Sequence, residues 1–443
     1  MREDQLYPST IFDFSHGKFC SETPLFCPKL LGKSTTVGHL FYKHVDFDEI
    51  ESESRKFQEG SSKFAGVFDR LVRERNVGST GGNSLRSFDS PKFRFNIIDT
   101  SGQPDSIEDT ILGMSQADVG LLVVDATIGG DESDIDSYGI TKEHCLLAYT
   151  LGVKQMIIAI NFKTLIFSED HWKKIRSDIA SHLKKVGYKP MKIPFIPISG
   201  LQGDNLDSKS MNMPWYGGSN LSEALNNVTC PKRPASKPLR VPIQGILDLE
   251  GIGKVLVGRV ESGVLQTGMN VQIAPSGVIG TVESLHVNHR CIDETLPGDI
   301  VHIHLKEEIG LMNINRGHVL SNYDDRPARQ VSSFEAQFIV MNYPGKIPNG
   351  YNATFYCHTS HMSCVIIMIK AKLDPRSGKL LEENPESVEA GDVCLVEVKP
   401  SGPFCIEQFK DFPALGRFAV RDFGQTVGVG VVKTIFHADE NRK

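Results

Sequence analysis

The chain has no run of apolar residues approaching the ~20 that a membrane-spanning helix needs, and no membrane partner is expected. A disulfide framework is missing too. The nine cysteines form an odd, scattered set: Cys20, Cys27, Cys145, Cys230, Cys291, Cys357, Cys364, Cys394 and Cys405. That pattern fits reduced thiols in the cytoplasm better than a stapled secreted fold. The first residues, Met1-Arg2-Glu3-Asp4-Gln5, lack the basic-then-apolar pattern of a secretory leader. There is also no basic excess: 48 Lys and Arg stand against 54 Asp and Glu, a net charge of −6. Contact with RNA must therefore come from local patches, because the field of the whole chain does not favour it. No internal repeat and no low-complexity tract is present.

What remains is ordinary globular composition, 40% hydrophobic and 23% charged over 443 residues, a length that suggests about two to four domains. One stretch carries the clearest chemistry: Leu31-Gly32-Lys33-Ser34-Thr35-Thr36-Val37-Gly38-His39-Leu40. Gly32-Lys33-Ser34 is the second half of a phosphate-binding loop, G-x-x-x-x-G-K-[ST]. Backbone N–H groups would curl around phosphate oxygens, Lys33 would reach the β- and γ-phosphates, and the Ser34 hydroxyl would bind Mg²⁺. A capped helix start explains the same four residues about as well. The first glycine of the pattern is absent, and Cys27 stands in its place. The strand expected before such a loop reads as damaged or absent, because Pro24, Pro28 and several polar residues interrupt Phe19 to Pro28.

Two amphipathic helices are predicted within Asp46 to Arg75, followed by a flexible loop from Gly78 to Ser84. Strands are predicted at Phe93 to Asp99, Val119 to Val124, Gln155 to Asn161 and Ile193 to Ile198. Helices are predicted from Thr141 to Leu151 and around Ile175, Ile179, Leu183 and Val186. Alternating strands and helices indicate a mostly parallel sheet with helices on both faces. Ligands bind at the carboxyl ends of such strands, where Asp99, Asn161 and Ser199 fall. Past Cys230 comes a proline-rich linker, Pro231 to Pro238. Beyond it, short Val/Ile-rich strands alternate with glycine turns, the pattern of a barrel or sandwich. A second break at Asp324 to Arg329 precedes another all-strand block. Cys357-His358-Thr359-Ser360-His361-Met362-Ser363-Cys364 has the residue types of a zinc site, but an alternating barrel strand is the preferred reading. His144 is expected to be structural, and Asp46 to Glu53 a solvated helix face.

Several runs carry a resemblance: Gly32 to Leu40, Ala148-Tyr149-Thr150-Leu151-Gly152-Val153-Lys154-Gln155, Gly251 to Glu261, and Gly416-Arg417-Phe418-Ala419-Val420-Arg421-Asp422. In these the chain resembles the eukaryotic elongation factor 1-alpha family of translational GTPases, from about Gly32 to Phe436. The resemblance implies a P-loop GTPase domain, α/β with a mostly parallel sheet, followed by two antiparallel β-barrels. The expected boundaries are a divergent segment 1–31, a GTP-binding domain 32–230, a linker 231–238, and barrels at 239–325 and 331–437. The implied cofactors are GTP/GDP and Mg²⁺. By the same resemblance Gly32, Lys33, Ser34, Thr35, Asp99, Gly102, Asn161, Ser199 and Gly200 contact the nucleotide. Ser34, Thr80 and Asp99 hold the metal, and Thr80 and Gln103 serve hydrolysis.

The implied function is GTP-dependent delivery of aminoacyl-tRNA to the ribosomal A site. Aminoacyl-tRNA, the ribosome, a guanine-nucleotide exchange factor of the elongation factor 1-beta type and actin are the implied partners, in the cytoplasm. The region of Glu261 would lodge the terminal adenosine, and Arg421 would lie where the third domain meets the tRNA stem. Several positions depart from the family pattern. Gln103 replaces a histidine that positions water, a task glutamine performs in Ras-type GTPases. Gly81-Gly82-Asn83 follow Thr80. The base-reading Asn-Lys-x-Asp has become Asn161-Phe162-Lys163-Thr164, so hydrolysis is expected to be impaired. The alternative is a degenerate, non-hydrolysing paralogue that binds tRNA or protein.

Overall fold

The computed structural model describes residues 20–27, 35–36, 38–40, 84–99, 107–126, 135–163, 167–231, 233–249, 253–287, 290–306, 313–341, 343–375, 377–422 and 424–437. The helices expected within Asp46 to Arg75 lie outside these residues, as does the loop expected from Gly78 to Ser84 except for Ser84, which begins a strand instead.

The first domain is built on a six-stranded sheet. Its strands are β1 (Cys20–Cys27), β2 (Ser84–Asp89), β3 (Phe93–Asp99), β4 (Val119–Asp125), β5 (Gln155–Asn161) and β6 (Phe195–Ile198), in the order β2-β3-β1-β4-β5-β6. All neighbours are parallel except β2 with β3, an antiparallel edge pair. Strands β4 and β5 are apolar almost throughout because both their faces are covered. Leu121, Val123, Ile157 and Ala159 enter one core with Leu40, Leu206 and Leu221. Leu122, Val124, Ile158 and Ile160 enter the opposite core with the helices.

Those helices are α1 (Ile107–Gln116), α2 (Ile135–Leu151), α3 (Glu169–Val186) and α4 (Leu221–Asn226). Helix α3 buries Trp172, Ile175, Ile179 and Leu183 on one stripe. The Ser168 side chain caps it by accepting from His171 N–H, and Gly187 at φ 120° ends it. Helix α2 starts six residues before the predicted Thr141. Strand β2, helix α1 and helix α4 carry no pattern that the sequence reading had singled out.

The strand read as damaged or absent is present. Strand β1 lies between β3 and β4 and pairs in parallel with both. Pro24 leaves local marks instead of removing it. Its register against β3 is irregular between Cys20 and Thr23, and its ladder with β4 is limited to Leu25 and Phe26, just beyond Pro24. A proline deletes one ladder donor. Two fully buried neighbours that both need a partner outweigh that single loss.

The other two domains are closed antiparallel barrels of six strands each. In the second, 270–274 pairs with 319–322, then 241–249, 253–259, 300–305 and 278–287, which returns to 270–274. In the third, 351–357 pairs with 417–422, then 425–437, 331–340, 393–400 and 360–373, which closes on 351–357. Alternate residues fill each interior, Val and Ile in the second barrel and a cluster of Phe334, Phe338, Phe355 and Phe418 in the third. Closure leaves no unpaired barrel edge. The cysteine–histidine run forms a hairpin, with His358 at φ 43° in the turn between two paired strands. His358 and Cys364 are buried there as packing residues, and no metal-holding cluster is found among the described residues. No described helix is long and apolar enough to cross a membrane.

Candidate nucleotide site and domain junction

The carboxyl ends of β5 and β6 meet the helical turns at residues 35–36 and 38–40. Asn161, the last residue of β5, is buried, and its Oδ1 accepts from the Gly200 N–H at 2.9 Å. His39 Nδ1 lies 3.0 Å from the Gly200 carbonyl oxygen, to which it donates as the Nδ1–H tautomer. A Cβ added at Gly200 would come within 2.3 Å of Thr36 Oγ1, so only glycine lets the turn pack this closely. Ser199 is buried, and its hydroxyl accepts from the Gln202 N–H. Asn161, Ser199 and Gly200 are therefore one assembled unit, tied to the helix that follows the phosphate loop. Thr35 sits half-buried in that helix.

Asp99 ends β3 in register with Cys27, the last residue of β1. A carboxylate-bearing position at a strand's carboxyl end has the oxygen chemistry that Mg²⁺ takes. Gly32, Lys33, Ser34, Thr80, Gly102, Gln103 and Thr164 lie outside the described residues.

Two side chains at this edge were not singled out from the sequence. Asp125 closes β4 in register with Asn161, its side chain only 3% exposed, and it forms an ion pair with the Lys163 ammonium. Lys163 is one residue beyond the position where the base-reading motif has its lysine. That position is Phe162, which is buried and packs against Phe167. The signal for Asp125 was in the sequence, a lone acid at the end of an apolar run. Its lysine partner required the fold.

The domains meet through charge. Asp118, just before β4, accepts from Arg233 of the linker at 2.7 Å and from Arg259 of the second domain at 3.1 Å. Arg259 also binds Glu261 at 3.1 Å. Burial opposes the Arg259 charge, but the carboxylates of Glu261 and Asp118 overcome it and raise its pKa. Burial raises the pKa of Glu261, with Arg259 pulling the other way. Arg240 and Glu407 join the second and third domains at 2.7 Å. Glu143 on α2 accepts from Thr426 at 2.6 Å and from Arg421 at 3.3 Å. Arg421, which the resemblance turned toward tRNA, is thus held against the first domain in this arrangement, and Glu261 is held by Arg259 of its own barrel. Apolar contact adds to the charge: Tyr356, Ala419 and Val429 of the third domain share a core with Leu147, Ala148 and Leu151 of α2.

Comparison with known proteins agrees with this architecture. Residues 31–245 match the family model described as the elongation factor Tu GTP binding domain, and residues 333–433 match the GTP-eEF1A C-terminal domain-like model. The chain is 45% identical to elongation factor 1-alpha of Plasmodium falciparum, over 91% of this chain and 92% of that protein. It is 47% identical to elongation factor 1-alpha of Entamoeba histolytica, over 91% and 93%. Among solved structures, the Saccharomyces cerevisiae Ski7 GTPase-like domain, bound to GTP, superposes with a TM-score of 0.72 at 18% identity, covering 94% of this chain and 97% of that one. That likeness concerns the fold alone.

Proposed function

The chain belongs to the elongation factor 1-alpha family of translational GTPases, and from that premise we propose that it binds GTP and aminoacyl-tRNA in the cytoplasm and delivers the tRNA to the ribosomal A site. Gly32, Lys33, Ser34 and Thr35 hold the phosphates, Asp99 and Gly102 sense the γ-phosphate, and Asn161, Ser199 and Gly200 read the base. Ser34, Thr80 and Asp99 hold Mg²⁺, which screens the phosphate charge when bound. Gln103 orients the attacking water, and Thr80 closes over the γ-phosphate. Turnover is slow, because Gly81-Gly82-Asn83 depart from the family pattern next to Thr80. The ribosome, an exchange factor of the elongation factor 1-beta type and actin are the partners this reading carries over from the family.

The observation that carries the reading is the Asn161–Gly200–His39 unit, where base edge and phosphate-loop helix are joined by direct hydrogen bonds. A second reading, a nucleotide-free binding module, draws on the buried Phe162 and the neutral Thr164. The deciding experiment titrates the purified chain with a fluorescent GTP analogue, with and without Mg²⁺, in competition with ATP. Tight, Mg²⁺-dependent binding that ATP does not displace supports the GTPase reading. No binding at high nucleotide concentration supports the module.

A further inference from the structure

The three domains enclose a cleft of about 1700 Å³ at the amino ends of the first domain's strands, opposite the Asn161 edge. Seven basic side chains line it against two acidic ones, in a chain whose net charge is −6. The two acids, Asp118 and Glu261, are already engaged by Arg233 and Arg259. Lys154, Lys185, Lys189 and Lys192 form no ion pair among the described residues. Lys185 has an ordinary explanation, since it sits in the last turn of α3 where positive charge complements the helix dipole. Lys154, Lys189 and Lys192 stand outside any α-helix.

Arg417 faces them from the third domain. Its guanidinium stacks on Phe409 at 4.9 Å and passes over Gly152, where an added Cβ would lie 2.3 Å from its terminal nitrogen. No carboxylate lies within ion-pair distance of it among the described residues; burial lowers its pKa, and the Glu261 charge offsets this only in part. A half-buried cation whose nearest compensating carboxylate, Glu261, is already bonded to Arg259 gains when a further anion reaches it.

We propose that this cleft binds a compact polyanion carrying several phosphate groups, held by Arg417 on one wall and by Lys154, Lys189 and Lys192 on the other. A guanidinium presents paired donors that match phosphate geometry, and lysines act as point charges around it. Because the two walls belong to different domains, the ligand fastens the closed arrangement. The site is separate from the nucleotide edge and does not depend on the function proposed above.

Calorimetric titration of the full chain with inositol hexakisphosphate tests the site, with thermal unfolding followed in parallel. The expected result is one-to-one binding and a Tm that rises with probe concentration, as mass action requires. Arg417→Gln, and separately the pair Lys189→Gln and Lys192→Gln, should each weaken binding by about tenfold or more. The exposed pair Lys399→Gln and Lys433→Gln, outside the cleft, should leave it unchanged. The lysine pair is exposed, so its result stands even if Arg417→Gln disturbs folding. No saturable binding up to about 1 mM probe, or binding indifferent to the cleft substitutions, overturns the proposal. A single-stranded RNA that binds more tightly than the probe, and through the same side chains, overturns the assignment of a small ligand.

Discussion

Strand β4 has an aspartate at each end, and the two are held in different ways. Asp118, just before the strand, lies between two guanidiniums from two other parts of the chain, both partners well buried. Asp125, the strand's last residue, is more deeply buried, yet it pairs with a lysine whose side chain is 38% exposed. The junction side of the sheet is thus fixed redundantly, by charge pairs and a shared apolar core. The base-reading side adds to the buried Asn161–Gly200–His39 bonds an ion pair whose lysine is partly exposed. A switch protein needs this asymmetry: a rigid frame at one end and an edge that can respond to a ligand at the other.

The comparison breaks most visibly at the junction. Asp118→Ala leaves Arg259 buried with Glu261 as its remaining ion-pair partner among the described residues, and takes from Arg233 the carboxylate that it bonds at 2.7 Å. Breaking a buried ion pair by removing one partner costs about 3–5 kcal/mol, and urea unfolding should show a loss of that order. An unchanged midpoint would mean that the first domain does not rely on this carboxylate.

Acid probes the frame a second way. Burial holds His144 of α2 and His358, beside α1, at pKa values of about 4, below the ordinary 6.5. Ser115 of α1 donates to the His358 carbonyl oxygen at 3.0 Å, which places His358 at the junction itself. The unfolded chain binds protons on both histidines first as pH falls. Their contribution is fully present above pH 6.5 and is lost between 6.5 and about 4. Each can remove on the order of 3 kcal/mol over that window, and His358→Asn should flatten the pH dependence of Tm. A slope that survives both His144→Gln and His358→Asn would place the acid sensitivity elsewhere.

At the other end the change should be a gain. Thr164→Asp restores a carboxylate able to accept from the guanine N1–H and N2–H₂. Charge-assisted hydrogen bonds contribute about 1.5–3 kcal/mol, so affinity for GTP over ATP should rise by at least tenfold in the fluorescence titration. If selectivity stays flat, the base edge recognises its ligand through Asn161 and the Ser199–Gly200 turn alone.

How much of this was legible depended on distance along the chain. Gln155 to Asn161 reads as a strand because seven residues alternate between two buried faces, and the structure has that strand with the same ends. The proline-rich linker and the barrel strands were equally local signals. Strand β1 was misread because Pro24 is a local signal against a central strand, while the neighbours that override it are about 70 and 95 residues away in sequence. The junction was invisible for the same reason: no pattern around Glu143 points to Thr426, nor any around Arg240 to Glu407. Asn161, Ser199 and Gly200 were legible as candidates from their strand-end positions. Their attachment to His39 was not, since it needs Gly200 to approach a helix lying 161 positions earlier.

The smallest effect tests the Asp125–Lys163 ion pair directly. Lys163→Ala removes the ammonium from Asp125 but leaves Asn161 bonded to Gly200. With the lysine more than a third exposed, solvent already screens the pair, and its loss should cost only about 1 kcal/mol of stability or less. The nucleotide readout should move more than the Tm, because Asp125 is in register with Asn161, the residue proposed to read the base. A large stability loss would show that Lys163 belongs to the frame after all, and that both ends of β4 are held with equal firmness.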